Sequence, residues 1–192
     1  RWFKYWGLDD AHEVIVYDDK RGFFAARAWW TLKWAGVSNV RILDGGLANW
    51  RHLGYTTLTG PGNFAVGATA EVNPGQMPVA TIDDVRNHDG LLIDTRTRNR
   101  FAGRREHLDL KAGHIPGAVN VPMSDLVQPD GRLRPADELR ERFAREDIDE
   151  VTVVGTYCGS GITAAHTALA LHEAGVDADV YVGSWSEWIT DP

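Results

Sequence analysis

One cysteine, Cys158, occurs among 192 residues. A single thiol excludes an internal disulfide and any zinc site built from cysteines. It also suits a reducing compartment, so a cytoplasmic location is expected. Long apolar runs are lacking as well. None approaches the roughly 18 residues of a membrane-spanning helix, and no membrane partner is expected. Positive charge is short, with 20 Lys and Arg against 27 Asp and Glu and a net charge of −7. That balance argues against an extended nucleic-acid surface. The histidines show no metal-ligand spacing, and neither a metal nor a cofactor is expected. What remains, 43% hydrophobic and 24% charged, is the composition of a globular protein of one large or two smaller domains.

The chain carries an internal repeat. Val14-Ile15-Val16-Tyr17-Asp18-Asp19 leads to Gly22 and an Ala/Trp-rich stretch ending at Ala35-Gly36-Val37. Val151-Thr152-Val153-Val154-Gly155-Thr156-Tyr157-Cys158 leads to Gly161 and an Ala/Leu-rich stretch ending at Ala174-Gly175-Val176. Gly22 to Gly161 and Gly36 to Gly175 are both 139 positions apart. Each copy closes on tryptophan, in Leu43-Asp44-Gly45-Gly46-Leu47-Ala48-Asn49-Trp50 and Tyr181-Val182-Gly183-Ser184-Trp185-Ser186-Glu187-Trp188. Equal spacing over so long a stretch indicates a duplicated unit. The second unit opens near Thr81, which can cap a short helix with Asp84. The same offset puts the expected opening of the first about 58 positions before Arg1, so unit one is expected to be incomplete at its start. The breaker-rich Gly60-Pro61-Gly62 and Asn73-Pro74-Gly75-Gln76-Met77-Pro78 predict a linker. The expected division is unit one at 1–60, linker at 61–78 and unit two at 79–192.

Unit two alternates strand and helix patterns. Leu91-Leu92-Ile93, Ala118-Val119-Asn120-Val121, Val151-Thr152-Val153-Val154 and Ala178-Asp179-Val180-Tyr181-Val182 predict strands. Asp137 to Arg145, with Leu139 and Phe143 four apart, and Ile162 to Ala174, stopped by Gly175, predict helices. Such alternation predicts an α/β fold in which each unit is a parallel sheet with helices on both faces. Trp29, Trp30 and Trp34 on the unit-one helix are spaced for burial. Cys158 then lies between a strand and a helix, followed by Gly159-Ser160-Gly161. The glycines let the backbone curl around a small group. Successive N–H groups and the helix N-terminus form an anion cradle that favours a thiolate, the form of cysteine that attacks sulfur.

Cys158-Gly159-Ser160-Gly161-Ile162-Thr163-Ala164 resembles the active loop of the tandem-domain rhodanese family, and within it that of the 3-mercaptopyruvate sulfurtransferases. Gly113-His114-Ile115-Pro116-Gly117-Ala118 and Gly183-Ser184-Trp185-Ser186-Glu187-Trp188 resemble two further signatures. The resemblance implies two rhodanese-like domains, of which only the second is catalytic. In line with this, the repeat offset puts Asp19 where Cys158 stands in unit two. Cysteine phosphatases need an arginine six residues after the cysteine to clamp phosphoryl oxygens; Ala164 stands there.

Five arginines lie between Arg96 and Arg105 in this acidic chain. A planar guanidinium matches a carboxylate or sulfonate. By resemblance, Arg100 binds the substrate, Arg96 is structural and pairs with Asp94, and Arg104 and Arg105 are further candidates. His114 is expected to be structural, with a ring nitrogen on the backbone. Thiosulfate-preferring relatives carry Arg and Lys just after the cysteine; Gly159 and Ser160 here favour 3-mercaptopyruvate, with Ser160 bonding the substrate carbonyl or relaying a proton. The expected reaction is a double displacement through a Cys158 persulfide. The backbone of Gly159, Gly161, Ile162 and Thr163 would bind the anion, and a thiol, a thioredoxin-like protein or cyanide would accept the sulfur. The alternative is a non-catalytic sulfur-carrier or binding module.

Overall fold

The computed structural model describes residues 2–9, 12–62, 69 and 71–191. Residues 79–191 form a five-stranded parallel sheet of β3 (Val79–Ala80), β4 (Leu91–Asp94), β5 (Val119–Asn120), β6 (Val154–Tyr157) and β7 (Ala178–Tyr181), in the order β3-β7-β6-β4-β5. Its helices are α4 (Ile82–Arg86), α5 (Arg98–Phe101), α6 (Ala136–Ala144), α7 (Ile162–Ala174) and α8 (Ser184–Trp188). The earlier part holds α1 (Trp2–Trp6), β1 (Val14–Val16), α2 (Phe23–Trp34), β2 (Val40–Ile42) and α3 (Gly46–His52), with β1 and β2 paired in parallel.

Strand alternation splits the core between the two faces of the larger sheet. Ile93, Val154, Cys158 and Val180 pack on one face with Leu139 and Phe143 of α6 and with α7. Leu92, Tyr157 and Tyr181 face the other way, against Val85 of α4 and Trp185 of α8. Parallel strands covered on both faces are what the alternating sequence predicts. The Thr81 hydroxyl accepts the Asp84 N–H while the Asp84 carboxylate accepts the Thr81 N–H, which starts α4 as the sequence implies.

One boundary differs from expectation in an informative way. The β-branched run Val151–Val153 precedes the strand, and Val151 and Val153 are exposed. β6 begins at Val154 because the central strand must be buried on both faces, and Val154, Gly155, Thr156 and Tyr157 are. Helix α7 runs over Ile162–Ala174 as predicted and ends on Gly175 at φ 92°. It has no polar stripe, because the sheet lies on one side and α2 on the other. Trp29 and Trp30 of α2 join the same apolar cluster as Ala165 and Ala168 of α7. The helix that follows Cys158 is thereby clamped between both parts of the chain.

Candidate active site

The chain moves outward from β4 to β5, then returns to β6 and continues to β7 on the other side. The reversal lies between β4 and β6, and in open parallel sheets the crevice beyond the carboxyl ends at such a point is where ligands bind. Asp94, Thr95 and Arg96 leave β4 there, and Cys158 leaves β6. The thiol is free and 3% exposed.

Three groups fix the loop that follows. Cys158 N–H donates to Ser184 Oγ at 3.1 Å, and the same oxygen lies 4.0 Å from Cys158 Sγ. Trp185 and Ser186 N–H donate to the carbonyls of Cys158 and Gly159. Gly161 has φ 76°, and a Cβ there would lie 2.5 Å from the Val182 carbonyl, so only glycine fits. Of the other expected site residues, Gly159 is half-buried and Ser160 exposed at the loop tip. Ile162 and Thr163 are half-buried in the first turn of α7, with Thr163 Oγ1 2.9 Å from Thr95 Oγ1.

The arginines sort themselves by burial. Arg96 is held by Asp94 at 2.6 Å and by the Gly113 carbonyl at 2.6 Å, over the Trp185 ring. Burial works against its charge, and the Asp94 carboxylate more than restores it. Arg100 reaches the loop: its Nη2 would lie 3.4 Å from a Cβ on Gly159. It is already paired, Nε with Glu106 at 3.0 Å and Nη2 with Asp109 at 2.7 Å. Burial alone would raise the Glu106 carboxyl. Arg100 and the N–H groups of Leu108 and Asp109 outweigh this and bring it to about 2. Arg104 and Arg105 are exposed. His114 Nδ1 lies 2.8 Å from the Phe101 carbonyl, its ring stacked on Phe101.

The repeat supplies an internal comparison. Val14 pairs with Val40 in β1–β2, and Val154 with Ala178 in β6–β7. The Leu47 N–H donates to the Asp18 carbonyl as the Trp185 N–H does to that of Cys158. Asp18, and not Asp19 as the uniform offset implied, therefore stands in the place of Cys158. The unit-one loop is one residue longer, which the offset could not register. Its cradle is filled from within. One Asp18 carboxylate oxygen accepts the N–H groups of Lys20 and Gly22 at 2.8 and 2.9 Å, and the other those of Phe24 and Ala25 at 2.8 and 2.9 Å. Burial opposes its charge, yet those four donors hold the carboxyl below its ordinary value. The same positions counted from the Gly22 and Gly161 caps are Gly159, Gly161, Thr163 and Ala164.

A family model described as a rhodanese-like domain matches residues 1–53 and 80–191. This chain belongs to the rhodanese family. A Pseudomonas aeruginosa relative named "Probable 3-mercaptopyruvate sulfurtransferase" is 42% identical, covering 97% of this chain and 68% of its own. The 3-mercaptopyruvate sulfurtransferase of Escherichia coli is 37% identical over 95% of this chain and 66% of its own. The thiosulfate sulfurtransferase of Gallus gallus is 34% identical over 95% and 65%. The chain thus spans about two thirds of the length of these curated relatives. Among solved structures, YnjE superposes with a TM-score of 0.89 at 26% identity, over all of this chain and 50% of that one. The rhodanese-like assignment covers both sheets. The sequence singled out neither Ser184, named only within its signature, nor Arg27 as a site residue. For Ser184 a signal existed: the repeat has Gly46 at that place, and both residues take a left-handed backbone, φ 56° and 60°. A serine accepts that strain in the copy that carries the cysteine.

Proposed function

We propose that this chain is a sulfurtransferase that carries sulfur on Cys158 as a persulfide. The observation that carries the reading is the pair of loops. One cradle holds the Asp18 carboxylate on four backbone N–H groups. The other has Gly159, Gly161, Thr163 and Ala164 at the equivalent positions after Cys158, which supports reading this loop too as one shaped to stabilise an anion. The sulfurtransferase names of the relatives support the same chemistry.

With 3-mercaptopyruvate as donor, the Cys158 thiolate attacks the donor sulfur and the carbon–sulfur bond breaks. The electron pair leaves on carbon as the enolate of pyruvate, which takes up the proton of the donor thiol. Pyruvate departs and Cys158 holds an anionic persulfide. A thiol acceptor then takes the outer sulfur and becomes a persulfide, or cyanide becomes thiocyanate, and the Cys158 thiolate returns. The neutral Gly159-Ser160 pair supports mercaptopyruvate over thiosulfate, and exposed Ser160 is our candidate for meeting its carbonyl. Arg100 meets the donor carboxylate in this reading, sharing its guanidinium with Glu106 and Asp109. The cytoplasm is the proposed compartment, supported by a free thiol that must stay reduced.

The test is intact mass after incubation with 3-mercaptopyruvate and, separately, thiosulfate, for the wild-type chain and Cys158→Ser. Gain of one sulfur in the wild type alone, removed again by cyanide, is the expected result. No adduct with either donor in a folded chain would leave only a binding or carrier role.

A further inference from the structure

Helices α2 and α7 start on glycines in the same left-handed conformation, Gly22 at φ 83°, ψ 2° and Gly161 at φ 76°, ψ 3°. Five residues beyond each lie Arg27 and His166. The two helices pack together, and each sends this residue to the loop of the other unit. Arg27 Nη1 donates to the Gly161 carbonyl at 3.3 Å. The His166 Nε2 lies 3.5 Å from where a Cβ on Gly22 would stand, and its ring meets Phe23 edge-on. The exchange is reciprocal in position but not in charge. Burial pushes the His166 imidazole down to about 4, against the pull of the Asp18 carboxylate, so it is neutral near pH 7. Arginine remains protonated.

The loop already filled by a carboxylate therefore faces a neutral ring. The loop in which an anion forms during reaction faces a fixed cation. Arg27 is steadied by the buried Trp30 ring, 5.1 Å from its guanidinium carbon. Burial pushes its guanidinium down from its ordinary value, and the negative charge of Cys158 acts in the opposite direction. On the far side of the loop, the charge of Arg100 is already opposed by Glu106 and Asp109. From α8, Ser184 Oγ lies 4.0 Å from the sulfur.

We propose that Arg27, contributed by the unit that lacks a cysteine, is a positioning residue for sulfur transfer: it holds the Gly161 carbonyl and gives the Cys158 loop a fixed positive charge when the sulfur is anionic. This rests on Cys158 being the nucleophile. The sole cysteine makes the test direct. Alkylation of Cys158 by iodoacetamide is followed by intact mass across pH for wild type, Arg27→Gln and Arg27→Lys. In Arg27→Gln the pH midpoint is expected to rise by about half to one unit. The rate near pH 6.5 should fall about three- to tenfold. Arg27→Lys should recover most of the loss. In single-turnover loading by 3-mercaptopyruvate, Arg27→Gln should slow the loading rate while the donor concentration at half-saturation stays within about twofold. If Arg27→Gln does not fold, Arg27→Met keeps the apolar stem over Trp30 and takes its place. A profile matching wild type overturns the proposal. So does a Lys variant as impaired as Gln, which would mark a packing role. Weaker donor saturation at an unchanged loading rate would instead make Arg27 a donor ligand. The alkylation profile is readable whether or not the chain accepts sulfur, so failure here is distinct from failure of the sulfurtransferase reading.

Discussion

His166 makes a quantitative prediction about acid stability. Its ring is 3% exposed between α2 and α7, Nδ1 finds no hydrogen-bond partner among the described residues, and burial lowers it from 6.5 to about 4. Between those values the unfolded chain binds a proton that the folded chain refuses. The stabilisation is therefore fully present above pH 6.5 and is lost as pH falls toward 4. Linkage over this interval gives about 2 kcal/mol lost at pH 5 relative to pH 8, and about 3 kcal/mol below pH 4. For a chain of this size, 2 kcal/mol corresponds to a fall in Tm of about 4–8 °C. Carboxylates do not confuse the interval. Glu106, at about 2, and Asp18 and Asp125, both held low, stabilise above the ordinary carboxylate range and weaken only below about pH 4.5. Urea melts at pH 8 and pH 5 for wild type and His166→Met separate the effects. The variant removes the titrating ring and its unpaired nitrogen at similar volume. It should stay within about 1 kcal/mol of wild type at pH 8 and lose most of the pH 5 penalty. An equal fall in both proteins would refute the assignment to His166.

Three further perturbations address the site. Gly161→Ala forces a Cβ to 2.5 Å from the Val182 carbonyl at φ 76°. It should cost at least about 2 kcal/mol in a urea melt and abolish sulfur loading; a loop that loads normally would show that the cradle geometry is not required. Arg100→Ala takes from Asp109 its arginine and leaves Glu106 with Arg96 at 3.4 Å. The KM for an anionic donor should rise about tenfold or more, and unchanged steady-state kinetics would remove Arg100 from the site. Ser184→Ala and Ser184→Gly both strip the Cys158 N–H of its acceptor, a loss of about 1–3 kcal/mol, but glycine also relieves the left-handed strain at φ 56°. The glycine variant should be the more stable of the two and both should load sulfur slowly; loading by Ser184→Ala at the wild-type rate would contradict a role at the sulfur.

What the sequence disclosed followed from how local each signal is. Helix α7 was legible to the residue because glycines at both ends must turn left-handed, and no other residue does so without strain. The Thr81–Asp84 cap lies within four residues and needs no tertiary information. Strand β6 was misplaced by three residues because β-branched character marks exposed Val151 and Val153 as readily as a buried strand, whereas Gly155 is buried by its central place in the sheet. The Cys158 loop and the Asp94–Arg96 pair were readable, each spanning a few positions. The prior pairing of Arg100 was not, because Glu106 and Asp109 reach it through the fold of the segment after α5. Arg27 was hidden for the same reason: it lies 134 positions from the Gly161 carbonyl to which it donates.

The duplication accounts for the proposed division between a chemical second unit and an inert first one, with little change in backbone. Both loops leave a strand, turn on a left-handed glycine and enter a helix. In unit one the side chain at the strand end is a permanent anion, and four N–H groups saturate it. Such a loop is stable and inert, since any incoming anion meets both charge repulsion and donors already engaged. In unit two the side chain at that place is a thiol, whose charge would come and go in the proposed reaction. In the proposed reaction the equivalent N–H groups would stabilise a state reached only part of the time, which is the condition for them to assist chemistry and not merely folding. Cross-helix partners follow the same division, a neutral His166 beside the filled loop and a charged Arg27 beside the responsive one. If Arg27 acts as proposed, the unit without a cysteine bears on the reaction through α2, and changes at its face toward α7 should register at Cys158 even though they lie outside the cysteine loop.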